Sequence, residues 1–358
     1  MNNIGYAATS STSPLSPFKF FRREPGPKDV NMEILYCGIC HSDLHAVRSE
    51  WPGTIYPIVP GHEIVGRILK VGSMVKKFKV GDIAAVGCMV DSCRKCDSCL
   101  AGNEQFCEVG CIYTYNSPNV HTKGITYGGY ASHMVADEDF VLRVPTSYKE
   151  KDLAGVAPLL CAGITTYSPL RYWKIGKGSK VGVVGLGGLG HMAIKLAHAM
   201  EARVVLFTSS SSKIEDGKRL GADEVILTKD PKNLESNQRS FDLIIDTVAV
   251  QHDLNPYINL LKQDGAMCLV GVPEKPHPAL NVFNLIKLRR KLVGSLIGGI
   301  KETQEMLDFC ASNNITSDVE VIPMDKVNEA YNRLVKGDVK YRFTIDMSTL
   351  DKSSLDKT

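Results

Sequence analysis

The hydrophobic pattern of the chain changes character near its middle. From about Asn31 to Val144 it consists of short runs rich in β-branched residues, separated by Gly, Pro and Asp turns. Such runs predict short strands of an all-β domain with long loops. The runs are MEILYCGIC, GHEIVGRILKVGS, FKVGDIAAVG, YGGYASHMVA and FVLRVP. This part of the chain is therefore expected to form a β-barrel.

From about Lys180 the pattern alternates between strands and helices. The segments are KVGVVGL, GHMAIKLAHAM, RVVLFTS, SKIEDGKRLG, EVIL, DLIIDTV and AMCLVGV. This alternation predicts a doubly wound parallel sheet. After Gly299 the pattern changes again, to two amphipathic helices, KETQEMLDFCASNN and VNEAYNRLVKG, and a strand, YRFTID. Residues 351–358 are expected to be disordered.

Composition and charge exclude several classes of function. The 358 residues are 44% apolar and 23% charged, and the net charge is only +3, which gives no support for a nucleic-acid or anionic-membrane partner. The first residues lack a signal-peptide pattern, and no run of 18 apolar residues occurs, so the cytoplasm is the expected location. In a reducing compartment the 11 cysteines are better interpreted as metal ligands, small buried hydrophobic residues or reactive thiols.

One group of cysteines has the spacing C-x2-C-x2-C-x7-C. It consists of Cys93, Cys96, Cys99 and Cys107. Four thiolates at short spacing complete a closed tetrahedral shell around a structural zinc. A ferredoxin-type cluster would need a shorter last gap followed by Pro, and scattered buried cysteines are the structural alternative. A nucleic-acid zinc ribbon is the other functional alternative, but such ribbons usually have a basic or aromatic surface, whereas Asp91, Asp97 and Glu104 are interleaved with these cysteines.

A glycine-rich turn follows the first strand of the second region. Gly185, Gly187 and Gly190 form G-x-G-x-x-G between an apolar strand and a helix. In that context the first glycine makes a tight turn, the second admits a pyrophosphate and the third lets helix and strand pack closely. An ordinary Gly-rich turn is the alternative. The predicted dinucleotide contacts are Gly185, Leu186, Gly187, Gly188, Leu189 and Gly190.

The end of the next strand indicates which dinucleotide is bound. An NAD site has an acidic residue about 20 positions after the first glycine, where this chain reads LFTSSSSK, with no acid before Glu215. Three hydroxyls and one cation suit a 2′-phosphate instead, so we expect NADP(H). A flexible serine turn or mixed specificity is the alternative. The predicted contacts are Thr208, Ser209, Ser210 and Lys213.

A second set of candidate metal ligands comes from three separate segments. Cys40 lies in CGICHSDLH, His62 and Glu63 lie in VPGHEIVG, and Cys161 lies in PLLCAGITTYS. One imidazole and two thiolates leave one position open on a tetrahedral zinc, which can act as a Lewis acid on a carbonyl. Each residue alone is more typical of buried structure. Asp43 is expected to orient a zinc ligand or the neighbouring backbone.

Taken together, these motifs resemble those of the zinc-dependent medium-chain alcohol dehydrogenases. The resemblance is strongest to the cinnamyl alcohol dehydrogenase type and to bacterial NADPH-dependent aldehyde reductases, and it extends from about Tyr6 to Leu350. It implies a fold of class α/β plus β, in which a GroES-like zinc-binding catalytic domain spans 1–150 and 300–358. A Rossmann NADP-binding domain would span 151–299. The family usually forms homodimers through the edge strands of its Rossmann domains.

The resemblance also implies roles for individual residues. Cys40, His62 and Cys161 match the catalytic zinc ligands, and Glu63 matches an alternate ligand or a neighbouring carboxylate. The four-cysteine group matches the structural zinc. Ser42 and His45 resemble the proton relay of the family, because hydroxyl and imidazole both accept and donate protons. Thr165 matches a nicotinamide contact, although a buried threonine at a helix start is an equal alternative.

The expected function is zinc-dependent, NADPH-linked reduction of aldehydes to primary alcohols. Apolar and aromatic candidates for the substrate pocket, such as Trp51 and Met89, suit aromatic and medium aliphatic aldehydes. Two alternatives remain: a reductase of C=C or C=N bonds that does not use zinc, and a nonenzymatic protein that binds a macromolecule through its zinc lobe. The complete set of catalytic ligands and the relay argue against both.

Overall fold

The chain folds into two units in the computed structural model, which describes residues 1–119, 124–230 and 232–353. The first unit comprises Met1–Cys161 together with Gly298–Thr358, and the second comprises Ala162–Ile297. Most of the segment predicted to be disordered, from residue 354 onward, lies outside the described residues.

The N-terminal part of the first unit is mostly β-structure with three short helices. Its strands are β1 (Asn2–Ala7), β2 (Ser16–Phe21), β3 (Asp29–Ile39), β4 (Ile64–Val71), β5 (Ile83–Val86), β6 (Met89–Asp91), β7 (Ile112–Tyr113), β8 (Pro118–Asn119), β9 (Gly124–Ile125), β10 (His133–Asp137) and β11 (Leu142–Arg143). Its helices are α1 (His41–Val47), α2 (Asp97–Leu100) and α3 (Leu153–Val156).

The second unit alternates between strands and helices, as predicted. Its strands are β12 (Lys180–Val184), β13 (Arg203–Thr208), β14 (Glu224–Leu227), β15 (Phe241–Asp246), β16 (Leu261–Leu269) and β17 (Lys291–Gly294). Its helices are α4 (Ala162–Tyr172), α5 (Gly190–Ala199), α6 (Ile214–Leu220), α7 (Lys232–Glu235), α8 (Asn255–Leu260) and α9 (Phe283–Ile286). The strands pair in parallel in the order β14-β13-β12-β15-β16-β17, which is the doubly wound 3-2-1-4-5-6 order of dinucleotide-binding folds.

The chain then returns to the first unit. This return contains α10 (Ile300–Ser312), β18 (Val319–Pro323), α11 (Val327–Val335) and β19 (Arg342–Asp346). Helix α10 is amphipathic, because its buried residues recur at helical spacing.

The first unit is organised around the long strand β3. One edge of β3 pairs along its length with β4, while the other edge pairs first with β10 and then with β19, so the C-terminal return completes the sheet. The core strands of this sheet follow the order β11-β5-β4-β3-β19-β18. This places the end of β3 between the start of β4 and β19, so that Cys40, directly after β3, and His62 and Glu63, directly before β4, lie at the same end of the sheet.

The boundary between the units lies later in the chain than the predicted boundary at 150/151. The segment Leu153–Leu160 is wholly buried, and the carbonyl of Ala154 accepts a hydrogen bond from Thr344 Oγ1 in β19. The carbonyl of Gly155 likewise accepts from the backbone N–H of Ser317. These contacts attach the segment to the first unit. The predicted boundary was too early because the alternation of strands and helices that marks the second unit in the sequence starts only at β12.

No single helix within the described ranges is long and apolar enough to cross a membrane. The consecutive segments Glu150–Leu160 and Ala162–Tyr172 reach that length only when they are taken together, across a break.

Candidate metal centre and cofactor site

Cys40 lies at the junction between β3 and helix α1. It is the N-cap residue of α1, and its backbone N–H donates to Asp43 Oδ2 at 2.9 Å. The other carboxylate oxygen of Asp43 accepts from the N–H of Gly61 and lies 3.0 Å from His62 Nδ1. Asp43 is fully buried and therefore fixes two ligand-bearing segments against each other. Asp43 thus contacts both a candidate ligand and the neighbouring backbone, the two partners that the sequence analysis considered for it.

The candidate ligands from three separate segments converge at one buried point in the first unit. One donor atom from each lies within 4.8 Å of the others, and the Cys40 and Cys161 sulfurs are 3.8 Å apart. Because His62 uses Nδ1 toward Asp43, its Nε2 is left for the cluster. The members are Cys40, His62, Glu63 and Cys161.

The electrostatics of this cluster favour a cation. The hydrogen bond from Cys161 and the charge of Arg342 outweigh burial and hold the pKa of the Cys40 thiol well below its usual range. The same bond raises the pKa of Cys161. Burial opposes protonation of His62, but the charge of Asp43 prevails and holds the pKa of that imidazole well above its usual range. A metal ion would displace these protons, so its affinity is expected to rise with pH.

Glu63 and Arg342 form a buried ion pair beside the cluster, and sequence reasoning missed the arginine. Arg342 Nη2 donates to Glu63 Oε1, and the two side chains are 5% and 0% exposed. Burial raises the pKa of Glu63 to about 7, although Arg342 opposes this shift. Gly38 makes room for the carboxylate, since a Cβ there would lie 1.9 Å from Glu63 Oε2. The available signal was an arginine inside the strand-like run YRFTID.

The donor set fits zinc. It offers two thiols, one imidazole with a fixed tautomer, and a carboxylate whose Oε2 is buried without a hydrogen-bond partner among the described residues. Nitrogen and sulfur donors of this kind suit Zn²⁺, and three of them leave a position open.

Ser42 and His45 lie on α1, one turn apart. Ser42 Oγ is 3.4 Å from Cys40 Sγ, which places the hydroxyl next to the ligand cluster. His45 contacts the carboxylate of Glu50 through Nδ1 and stacks on Trp51 with a centroid separation of 5.0 Å. Glu50 is exposed, so Ser42 borders the ligand cluster while His45 and its partner lie nearer the surface. Sequence reasoning did not identify Glu50.

The four cysteines of the lobe also converge. Their sulfurs lie within 4.8 Å of one another, and those of Cys93 and Cys99 are 3.9 Å apart. Backbone N–H groups point at the sulfurs: that of Cys96 at Cys93, and that of Cys93 at Cys107. N–H donors on the following residues lower the pKa of Cys93, whereas burial raises the pKa of Cys99 to about 12. Four sulfurs without an open position form a closed site, which fits a structural zinc.

The glycine-rich turn in the second unit has the geometry of a pyrophosphate site. Gly185 has a φ of +88°, and a Cβ at Gly190 would lie 2.1 Å from the Gly185 carbonyl oxygen. In contrast, a Cβ at Gly187 would meet no atom within 4 Å, so this side of the turn is open. Helix α5 begins at Gly190 and directs its N-terminus at the turn.

The predicted phosphate contacts lie at the end of β13. Thr208 is buried, Ser209 is exposed, and the backbone N–H of Ser210 donates to Thr208 Oγ1. Lys213 is half-buried, and its Nζ donates to the carbonyl of Leu186 at 2.7 Å, so the cation already lies against the glycine-rich turn. Burial lowers the pKa of this amine. Thr165 is buried within α4, as the structural alternative also expects.

Two family models match the chain. The model described as "Alcohol dehydrogenase GroES-like domain" matches residues 26–146, and the model described as "Zinc-binding dehydrogenase" matches residues 188–312. Together they confirm the expected combination of a GroES-like domain and a Rossmann domain.

Individual relatives match nearly the whole chain. Aldehyde reductase YahK from Escherichia coli is 57% identical, with 96% of this chain and 97% of the relative covered. NADP-dependent alcohol dehydrogenase C 1 from Mycolicibacterium smegmatis is 52% identical, with 96% and 98% covered. The solved structure of CAD from Helicobacter pylori complexed with NADP(H) has a TM-score of 0.91 and 44% identity, with 98% and 99% covered. The chain therefore belongs to the zinc-dependent medium-chain alcohol dehydrogenases.

Proposed function

We propose that this protein is an oxidoreductase that reduces aldehydes to primary alcohols with NADPH, in a reversible reaction that depends on zinc. The observation that carries this proposal is the buried cluster of two thiols, one imidazole and an unpartnered carboxylate oxygen. It is supported by relatives named aldehyde reductase and NADP-dependent alcohol dehydrogenase. Aromatic and medium aliphatic aldehydes are the proposed substrates.

Two bound groups would supply the chemistry, and the chain would position them. When bound, zinc supplies a Lewis acid and NADPH supplies a hydride. Cys40, His62 and Cys161 would hold the metal, and Glu63 would serve as an alternate ligand or as a balancing charge. Asp43 keeps the His62 ring in the tautomer that leaves Nε2 free.

Helix α1 would provide the proton that converts the product alkoxide into an alcohol. Ser42 lies beside Cys40, and its hydroxyl can donate a proton and accept another. His45 would exchange that proton with solvent, because an imidazole can both accept and donate a proton. Glu50 holds the ring through Nδ1 and so orients this relay.

Products formed from cinnamaldehyde distinguish the proposed reaction from its enzymatic alternative. With NADPH the protein is expected to produce cinnamyl alcohol, because a Lewis acid polarises the C=O bond. Hydrocinnamaldehyde would instead identify a C=C reductase. Formation of neither product, from this or other aldehydes, would favour a nonenzymatic binding protein. Analysis of the reaction mixture by gas chromatography separates these outcomes.

We also propose two zinc ions per chain, the second held by the four-cysteine lobe. Replacing Cys96 with Ser is expected to remove one equivalent of zinc and to make the lobe susceptible to proteolysis. Structural zinc binds small peptides with an apparent free energy of about 10–16 kcal/mol, and this free energy contributes directly to folding. Loss of the ion is therefore expected to destabilise the lobe and to expose its backbone to protease. Metal analysis and limited proteolysis measure both effects.

Cys310→Ser is the matched control, since Cys310 is a buried thiol that contacts Met306 Sδ and lies outside both clusters. It is expected to keep both zinc ions and the resistance of the lobe to protease. If Cys96→Ser also keeps both, the assignment of a lobe zinc is wrong.

Preference for NADPH over NADH is proposed to depend on Lys213. Replacing Lys213 with Ala is expected to lower kcat/KM for NADPH about 10- to 100-fold, since hydrogen bonds to charged groups contribute roughly 1.5–3 kcal/mol. The value for NADH should change little, because NADH lacks the 2′-phosphate. Steady-state kinetics with both cofactors measure the difference.

Lys218→Ala is the control for this substitution, because Lys218 is an exposed cation on the next helix and pairs only weakly with Glu215, at 3.5 Å. It should leave the ratio of the two cofactors unchanged. Equal losses with NADPH and NADH in Lys213→Ala would contradict the assignment of the 2′-phosphate contact.

A homodimer and a cytoplasmic location belong to the same proposal. The edge strand β17 and the exposed side chains of Phe283 and Ile286 offer the second unit a surface for pairing with another copy. None of the 11 cysteines, all of which lie in the described part of the chain, takes part in a disulfide, in keeping with a reducing compartment.

A further inference from the structure

A third cluster of metal-ligating side chains lies in the second unit, and the proposed function does not use it. Asp246 is the last residue of β15, His252 lies in the loop after β15, and His277 lies in the loop after β16. One ring nitrogen of each histidine and one carboxylate oxygen lie within 4.8 Å of one another. All three residues are thus at the carboxyl edge of the six-stranded sheet.

Backbone contacts orient both histidines. His277 Nδ1 lies 2.9 Å from the carbonyl oxygen of His252 and 3.4 Å from the backbone nitrogen of the same residue, so this ring is held against the loop that carries His252. His252 Nδ1 lies 2.9 Å from the carbonyl oxygen of Val250, and because a carbonyl oxygen only accepts, this Nδ1 carries the proton. In the neutral ring of His252, Nε2 therefore presents a lone pair. Histidines that bind metals typically donate their other ring N–H in this way.

The Nε2 atom of His252 is shielded from solvent and lacks a hydrogen-bond partner in the described part of the chain. It lies 3.2 Å from Asp246 Oδ2, but the approach is not aligned for a hydrogen bond. Asp246 is 1% exposed, and its Oδ1 already accepts from the N–H of Val248. The contact with Asp246 raises the pKa of His252, so the point between these two side chains attracts positive charge, either a proton or a metal cation.

We propose that Asp246, His252 and His277 bind a third divalent metal ion, with Zn²⁺ as the best-fitting occupant. Two imidazoles and one carboxylate form the donor set of zinc sites that retain an open position, and no thiolate is involved. The two rings meet edge to face, with centroids 4.8 Å apart. Each of the three donors approaches from a different part of the chain, so the ion would join the loop after β15 to the loop after β16.

The position of this site suggests its consequence. In a sheet of this strand order, a dinucleotide lies across the carboxyl edge. Val248, at the start of the loop that carries His252, packs against the glycine-rich turn: a Cβ added at Gly185 would lie only 2.7 Å from Val248 Cγ2. A metal ion that joins the two loops would therefore stiffen the edge to which the cofactor binds. The site is independent of the catalytic reaction and remains even if the proposed function is wrong.

Metal stoichiometry of untagged, full-length protein tests the proposal. After equilibration with Zn²⁺ and removal of free metal, wild type is expected to retain three zinc ions per chain. His252→Gln, His277→Gln and Asp246→Asn should each retain one fewer. His198→Gln is the control, because this exposed histidine of the same unit lies outside the cluster and should retain all three.

A titration of metal-free wild type with Co²⁺ does not depend on the folding of any variant. Binding at the two cysteine sites produces thiolate-to-cobalt charge-transfer bands in the near ultraviolet, whereas the third equivalent should add only weak visible bands. Wild type that binds no such thiolate-free equivalent would overturn the proposal. So would variants that are folded by circular dichroism and retain as much zinc as wild type, since the extra ion would then be adventitious.

Discussion

Replacing Cys40 with Ser is expected to lower kcat/KM for aldehyde reduction at least about a thousandfold and to remove one zinc ion per chain. A Lewis acid contributes several kcal/mol of transition-state stabilisation, and each 1.36 kcal/mol corresponds to a tenfold change in rate. Within the cluster, Cys40 is also the thiol whose pKa is held well below its usual range, so a proton competes least with the metal there. Steady-state kinetics together with metal analysis measure both effects.

Cys37→Ser is the matched control for this substitution. Cys37 is a buried thiol in β3, three positions before Cys40, and is not part of the ligand cluster. Its replacement makes the same chemical change at similar burial, so kcat/KM should stay within a few-fold of wild type and the zinc content should not change. If Cys40→Ser behaves like Cys37→Ser, Cys40 is not a catalytic ligand and a reduction without zinc becomes the better account.

Replacing Arg342 with Met is expected to lower the free energy of unfolding substantially. Removing one partner of a buried ion pair costs about 3–5 kcal/mol, because the other charge is left buried without compensation. For a domain of this size such a loss corresponds to a decrease in Tm of roughly 6–20 °C. The charge left behind is Glu63, which is fully buried and whose Oε2 is already unpartnered among the described residues. Thermal unfolding followed by circular dichroism measures the decrease.

Two further variants separate the ion pair from the loss of any arginine. Arg333→Met removes an arginine that pairs with Glu320 near the surface, where ion pairs contribute at most about 1 kcal/mol. The double variant Glu63→Gln/Arg342→Met removes both buried charges and should recover part of the Tm. The interpretation fails if Arg342→Met is no less stable than Arg333→Met. It also fails if the double variant is less stable than Arg342→Met alone.

Features with a local signature in the sequence could be predicted. The short spacing of Cys93, Cys96 and Cys99 brings their thiols together within one lobe, and the glycine pattern around Gly185 specifies a strand, a turn and a helix in consecutive residues. The parallel strands β12 to β16 and helices α5, α6, α10 and α11 were likewise predicted, because each has a regular apolar pattern within its own residues. The family and its fold class, inferred from these motifs, are confirmed by the family models and relatives.

Features that depend on distant parts of the chain were missed. Arg342 meets Glu63 across 279 positions, and no local pattern links them. The hairpin of β1 and β2 was not predicted either, because its edge residues lack a clear alternation of apolar and polar positions. The contact of Lys213 with Leu186 joins two loops that come together only when parallel strands pair.

One departure from the usual pattern of the family has the expected local consequence. The helix after the glycine-rich turn typically ends at a glycine, whereas this chain has Glu201 there. Glu201 adopts a φ of +62°, a left-handed conformation that costs a residue with a side chain about 1 kcal/mol. The neighbouring backbone is nevertheless regular, since the N–H of Ala202 still donates to the carbonyl of Ala197. The fold thus absorbs this cost without a change of topology.

Zinc-dependent reduction is tested most directly by removing the metal and returning it. The rate of NADPH oxidation with cinnamaldehyde would be measured on protein as purified, on protein freed of zinc by a chelator, and on the same sample after Zn²⁺ is added back. The account predicts that the rate falls to background in the metal-free sample and recovers with Zn²⁺, while circular dichroism shows a folded chain throughout. A metal-free sample that reduces the aldehyde at the full rate would contradict it.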